Sequence, residues 1–472
     1  MRRVLGSGVP VLLLVGALVA GCSLEHESDA KPEAAAQSSV APSGELRLAD
    51  TVDPQLFGTG DGLVLVASRL ADDGPYGGVV TSSYDGSGWT SGESLSTDGV
   101  RTSGARVVIN PSGVGVALWT EASGEESDSE EPTSPPVVAR VRQADGAWTE
   151  AETLGAMAYL EDVQVNARGD VAVLGYPDEG VRVLALRPAG EDWNLTDLSS
   201  YDAGSMALDE DGGVHLATTG TNRGGGGPVQ VSYLPAGGTW TDPIPVPLDD
   251  IATEAAQIVA LPGGGEALLV GTISATWQST FDTQYYWATE YHLLRRGGTT
   301  GGFTERWSHD GATDMRVVAD GKGVRLTWIQ DEAGQQVEGA AGPTTVPTRQ
   351  ALLTRGPDGA VVRLGEAPVE MSDSEIGGGL SFMTASGCDG PAVIWRTHDE
   401  QEGPDHLQVR VGDREATVPD EGARPVVDLQ AALACTGGVP WLARSADLEQ
   451  VGSDDGGDLR IAGGTVVAGP LG

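Results

Sequence analysis

Six of the 24 aromatic residues in this chain fall between Trp277 and Tyr291 (WQSTFDTQYYWATEY). Flat aromatic faces with polar neighbours are what sugar or peptide recognition uses, and Trp and Tyr are favoured hot spots. Trp277, Tyr285, Trp287 and Tyr291 are therefore the candidate ligand-binding residues. The competing expectation is a long strand pair whose aromatics pack between sheets. Other chemistry is sparse. No HExxH helix, CxxC pair, Walker loop or GxSxG elbow occurs. His26, His215, His292, His309, His398 and His406 are dispersed, as surface or strand histidines would be. Asp209–Glu210–Asp211–Gly212 and Asp454–Asp455–Gly456–Gly457–Asp458 cluster carboxylates as calcium sites do, but neither has the full EF-hand loop, and acidic turns are expected. Arg168–Gly169–Asp170 spells an adhesion tripeptide inside a hairpin turn and is read as chance. No catalytic residue, metal ligand or cofactor is assigned.

The elements that must position these residues form a repeat. Strand, tight Gly turn and strand recur in LFGTGDGLVLVAS, VVINPSGVGVALW, VQVNARGDVAVLG, MALDEDGGVHLAT, IVALPGGGEALLV, RVVADGKGVRLTW, FMTASGCDGPAVIW and AALACTGGVPWLA. Their spacing of roughly 45 to 65 residues signals a repeat architecture. Most are followed by a second strand pair around a Gly/Asp turn, usually with Trp: Trp89, Trp148, Trp193, Trp240 and Trp307. The turn of GPDGAVVRLGEAP lacks the Trp. Each unit then holds four strands, and serial four-stranded units describe the blades of a β-propeller. The expected fold is an all-β propeller over residues 45–472, of eight blades. Seven is the alternative, and GELRLADTV (Gly44–Val52) could pair with the last blade to close a ring. Separate β-sandwich domains are the competing architecture. Glu121–Pro136, rich in acid, Ser and Pro, reads as a disordered insertion.

Charge narrows the partners. The chain has 28 basic and 68 acidic side chains. That imbalance excludes nucleic acid, whose phosphates need a basic face. It also excludes adhesion of the body to anionic lipid. Solubility is the simplest use for such acidity.

The N-terminus carries a different signal. Met1–Arg2–Arg3 is basic, and Val11–Ala20 (VLLLVGALVA) is apolar but about half the roughly 20 residues a membrane-spanning helix needs. A basic start, a short apolar run and small residues after it make a signal peptide over residues 1–21. Leu18–Val19–Ala20–Gly21–Cys22 resembles the lipobox of bacterial lipoproteins. That resemblance implies a diacylglycerol thioether on Cys22, with palmitate-type acyl chains, and a mature protein that begins there. The mature chain would carry a net charge of −42, with Arg2 and Arg3 gone. One acyl chain holds a protein marginally and two hold it stably. An ordinary secretory signal is the competing reading. Ser23–Gly44, rich in Ala, Ser, Pro and Glu, reads as a flexible tether within residues 22–44. Cys388 and Cys435 then remain as an even pair in an oxidising compartment. A disulfide between them is expected, which would staple the last two blades, with two buried free thiols as the competing reading.

The strand–Asp–Gly–Trp element resembles a degenerate Asp box of sialidase-like propellers. Ser83–Tyr84–Asp85–Gly86–Ser87–Gly88–Trp89 keeps the Ser and Asp but displaces the Gly residues and brings Trp one place early. Asp145–Gly146–Ala147–Trp148 keeps less. In that family the box is a structural turn, so the resemblance implies fold and not activity. Sialidase chemistry would need an arginine cluster, a Tyr–Glu pair and an acid Asp, and no Arg-Ile-Pro-type segment opens the body. The expectation is a monomeric, membrane-tethered binding protein for a glycan or an envelope protein. The alternative is a cell-surface glycosidase.

Overall fold

The computed structural model describes residues 38–40, 44–71, 74–97, 100–103, 105–121, 135–157, 159–176, 182–198, 203–219, 228–248, 253–278, 285–299, 301–321, 323–339, 342–371, 376–385, 388, 391–398, 406–419, 431–451 and 460–471. The signal peptide, Cys22, Phe281 and the acidic cluster at Asp454–Asp458 lie outside the described residues, as does 122–134 of the insertion. The described chain forms two compact units. A terminal unit holds the described residues of 38–157, 388 and 431–471, and a central unit holds those of 159–385 and 391–419.

Every described regular element is a β-strand, and the strands are joined as antiparallel meanders. In the terminal unit Thr51–Gly58, Leu63–Ala71, Gly74–Tyr84 and Glu93–Ser94 form one four-stranded sheet. Arg106–Ile109, Gly115–Thr120, Pro136–Arg142 and Glu152–Ala156 form the next. The central unit repeats the pattern twice, from Tyr159 to Asp197 and from Ala203 to Pro245, and continues into an eleven-stranded sheet. That long sheet is also serial. Thr304–Asp320 pairs with Tyr285–Arg296 through its first half and with Gly323–Gly339 through its second. Val361–Met371 is divided in the same way between its two neighbours.

The N-terminal strand Leu46–Ala49 pairs with Arg460–Pro470, Leu46 opposite Ala468, so the first residues of the body complete the last sheet. Part of the stretch read as tether departs from that reading. Ser38–Val40 forms a short strand antiparallel to Leu46–Leu48. An edge strand offers unpaired backbone groups, and a three-residue segment with a β-branched Val can take them. Also in the terminal unit, Cys388 and Cys435 are bonded, with Cα atoms 5.1 Å apart.

The packing separates a propeller from a sandwich. Leu63–Leu70 is buried at every position. Leu63, Leu65 and Ala67 pack with Leu46, Leu48 and Trp441, whereas Val64 and Val66 pack with Val107, Ala117 and Trp119. Alternate residues of a strand point to opposite faces, so both faces of this sheet are covered by other sheets. The central unit does the same: Leu268 and Val270 meet Ala217 and Val231, and Leu269 meets Leu326 and Trp328. A sandwich sheet keeps one face solvated. The fold is all-β and of β-propeller type.

Each meander has two unlike ends. At the turn end, strand one passes to strand two and strand three to strand four through tight turns. Asn110, Asn166 and Asp209 occupy the same place in three of these turns, and each side chain accepts backbone N–H groups two to four residues on. The turn glycines Gly113, Gly169 and Gly212 have φ of 84°, 91° and 86°, where a Cβ is strained. Asp85 of the Asp-box-like segment accepts from the N–H groups of Ser87 and Gly88 at 2.8 and 3.1 Å. Trp89 is buried, its Nε1 donating to the Gly44 carbonyl. Those residues build the turn.

Neighbouring first strands are too far apart to share a backbone ladder, and glutamines bridge them. Gln257 donates to the Met315 carbonyl at 2.8 Å and accepts from Val317 N–H at 3.3 Å. Gln55 makes the same pair of contacts with Ala105 and Val107. Gln257→Leu strands a carbonyl and an N–H, and should lower unfolding free energy by about 1–3 kcal/mol. The exposed Gln143→Leu should change it by less than about 0.5 kcal/mol. Denaturant titration of the two variants compares them, and equal effects would contradict the bridge.

Candidate functional site

The turn end of the central unit holds its most deeply buried charges, and they contact one another. Glu266 is fully buried at the start of Gly265–Gln278. Arg296 Nε donates to Glu266 Oε1 at 2.6 Å, and His215 Nδ1 lies 3.1 Å from the same oxygen. The Tyr233 hydroxyl donates to Asp209 Oδ2 at 3.0 Å. Burial, followed by the Asp209 carboxylate, pushes that phenol up to about 12. Asp209 therefore spends both oxygens on protein donors, and Asp209–Glu210–Asp211–Gly212 is an acidic turn. Among the described residues no group of three or more ligand-type side chains could hold a metal ion. Arg168 likewise donates to the Asp211 carbonyl, and Asp170 accepts from Asn166 and Ala189.

The opposite end differs. Here strand two passes to strand three, and the chain leaves for the next sheet. In Thr304–Asp320 that departure occurs at Ala312, which pairs with Thr289 on one side and Gln330 on the other. With strands about 4.8 Å apart, the backbones of Thr289 and Gln330 are about 10 Å apart. Beyond Thr289 lie Trp287 and Tyr285, and beyond Gln330 lies Asp331.

The Asp331 carboxyl is pushed up to about 6 by burial, which outweighs the 3.1 Å hydrogen bond from Gln350. Asp314 begins the first strand of the same sheet. Its side chain is 35% exposed, yet crowding by protein also raises its carboxyl, against the pull of Arg316. Gln330 accepts from Trp328 Nε1 at 3.3 Å, contacts His309 Nε2, and donates to the Gly311 carbonyl at 3.1 Å. His309 stacks on Trp307 at 5.2 Å and meets Trp328 edge-on at 5.2 Å. The first sheet of the central unit carries a similar collection at this end. Tyr159 and Tyr176 stack at 5.0 Å, and Arg182 grips Glu161 with two hydrogen bonds of 2.8 Å. In the central unit Tyr176, Asp314 and Asp331 thus lie at the crossing end with half-buried aromatics, whereas the raised Tyr233 lies at the turn end. Perturbed titratable groups are more frequent at functional sites than elsewhere.

The predicted binding residues divide here. Strand pairing sets Trp277 opposite Tyr286, Trp287 opposite Thr276 and Tyr285 opposite Gln278, so these positions share the outer rungs of one hairpin. Tyr291 does not belong with them. It is 5% exposed and packs with Leu293, Met315 and Trp328, leaving no ring face for a ligand, so for this residue the packing alternative holds. Neither residue type nor spacing distinguishes Asp331, Asp314 or His309 in the sequence. A single acid at the end of an apolar strand (TWIQD) is an ordinary pattern, and its significance comes from neighbours remote in sequence.

No family model matches the chain, and no curated protein matches it. Solved structures resemble it weakly. A lectin from Burkholderia pseudomallei (BP39L) has 12% identity over 79% of this chain and 99% of its own, with a TM-score of 0.45. A prolyl endopeptidase has 11% identity over 85% of this chain and 55% of its own, at 0.47. Trypanosoma rangeli sialidase in complex with sialic acid has 9% identity over 94% of this chain and 58% of its own, at 0.31. The chain spans little more than half the length of the endopeptidase and sialidase chains. Likenesses of this strength assign no activity.

Asp331 supplies a test of the crossing end. Its folded pKa of about 6 lies above the ordinary value of 3.8, so folding favours the protonated form. The associated stability is present below about pH 4 and is lost as pH rises through 6. Asp331→Asn should therefore stabilise the fold by about 1–3 kcal/mol at pH 8 and leave it unchanged at pH 4. Unfolding titrations at both values check this; an equal effect at both would contradict a partly buried, raised carboxyl.

Proposed function

We propose that the protein is an extracytoplasmic lipoprotein, anchored to a membrane through Cys22, whose β-propeller binds a glycan or envelope-protein partner without chemical turnover. The anchor rests on the basic start, the short apolar run and the lipobox-like Leu18–Cys22. The binding role rests on one observation, the contrast between the two ends of the central unit. At the turn end Asp209, Glu266, Arg296 and His215 contact turn backbone, Tyr233 and one another. The crossing end gathers Trp277, Tyr285 and Trp287 on one hairpin, with the raised carboxyl of Asp331 across the Ala312 rung. Aromatic positions at the same end as a polar, partly desolvated acid suit a ligand that offers ring faces and hydroxyls. The proposed blade number is eight, after the eight first-to-second-strand hairpins among the described residues, with seven as the alternative.

A second reading, glycoside hydrolysis, draws on Asp331 and Asp314, since a carboxyl raised toward neutral can act as a general acid. The Tyr176–Glu161 neighbours do not complete a sialidase-like site. Burial and the Glu161 charge raise the Tyr176 phenol, the wrong direction for a nucleophile, and Arg182 already holds Glu161.

A single set of variants tests the proposal on the full chain in its producing cell and in detergent. Cys22→Ser should move the protein from the membrane to the aqueous fraction. The Tyr285→Ala, Trp287→Ala double variant should weaken retention on a glycan array or an envelope-protein pull-down by about tenfold or more, with an unchanged melting temperature. Membrane retention of Cys22→Ser, or full binding by the double variant, would contradict the corresponding half. Consumption of the bound glycan would favour the second reading.

A further inference from the structure

The terminal unit holds a cleft that none of the preceding chemistry uses. It is an open cavity of about 620 Å³, inside the range of roughly 300–1,000 Å³ typical of small-ligand sites. It lies between the third-to-fourth-strand turns of two consecutive sheets, Ser83–Glu93 and Arg142–Gly146. Arg142 lines it and is 8% exposed. Its Nη1 donates to the Gly113 carbonyl at 2.6 Å, whereas its buried Nε has no hydrogen-bond partner. The turns leave room for this guanidinium by being glycine. A Cβ at Gly113 would stand 3.0 Å from Nη1 and one at Gly146 3.1 Å from Nη2, and both glycines have positive φ. Such an arginine is held in place, with its guanidinium part of the cleft wall.

The walls decide the ligand. Ser83, Thr90 and Ser91 bring hydroxyls, and Glu93 and Asp145 bring carboxylates. Two carboxylates against one guanidinium repel phosphate, sulfate and acidic sugars. The polar lining gives a hydrocarbon ligand nothing to displace water for. What fits is a neutral molecule with many hydroxyls, each able to donate to a carboxylate and accept from a hydroxyl or guanidinium. We propose that this cleft binds a neutral saccharide, with Arg142 as its floor and Ser91 and Glu93 at its rim. The site lies in a different unit from the Trp287 hairpin and stands independently of the function proposed there.

The test is saturation-transfer NMR on the full chain with maltose, cellobiose and lactose at millimolar concentration. At least one should bind saturably. Ser91→Trp places a bulky ring at an exposed rim position and should weaken that binding by about tenfold or more, while Glu93→Gln should weaken it several-fold through loss of one acceptor. Both rim positions are exposed, so thermal melting should match the parent. If Ser91→Trp fails to fold, Glu93→Gln carries the test alone. The Tyr285→Ala, Trp287→Ala double variant should bind these sugars as the parent does, which separates this site from the crossing end. No saturable binding by any of the three sugars, or binding indifferent to the rim variants, overturns the proposal.

Discussion

The structure depends on burying both faces of each second strand. Leu63–Leu70 shows the constraint in its simplest form: odd and even positions serve different cores, and neither face can be left to water. A sheet with two apolar faces needs a sheet on each side, so one unit demands the next. Serial repetition follows from that demand, as does the pairing of Leu46–Ala49 with the last strand of the chain, which completes a sheet that would otherwise end on an open edge. With few aromatics and many glycines, the cores are made of Leu, Val and Ala at close approach.

Stacking of this kind places different duties on the two ends of each sheet. Tight turns must be built at one end in every unit, and Asn110, Asn166, Asp209 and Asp85 are consumed in building them. In the central unit the buried Glu266, Arg296 and His215 at that end contact one another. The crossing end has no such uniform task. Strand length varies there most: Gly323–Gly339 and Gly342–Arg355 run 17 and 14 residues, against 4 to 9 for the first two strands of the terminal unit's opening sheet and its neighbour. Freedom from turn chemistry is what allows aromatics and partly desolvated acids to collect at that end.

Much of the fold is legible in the sequence because its strongest signals are local. A capping Asn or Asp and a glycine at positive φ announce the turn in VVINPSGVGVALW, VQVNARGDVAVLG and MALDEDGGVHLAT, and all three are strand pairs in the structure. The pairing of His406–Val411 with Arg414–Pro419 is less visible, because its turn, Gly412–Asp413, carries no Trp. The site is harder to read for the same physical reason. Tyr285 and Tyr291 belong to one aromatic run and pair with the same strand, Tyr285 at its last rung and Tyr291 at Gly271 within a buried cluster, and nothing local distinguishes them. Asp331 looks like any acid after an apolar strand until Gln350, itself bound to Leu380, closes over it.

The central claim is that recognition occurs at the crossing end of the central unit. Hydrogen–deuterium exchange of the full chain, with and without a cell-envelope glycan fraction that it retains, tests this most directly. The account predicts slowed exchange in peptides covering 275–289 and 326–350, with the tight turns at Asn166 and Asp209 unchanged. Slowed exchange confined to those turns, with the two hairpins unaffected, would contradict it.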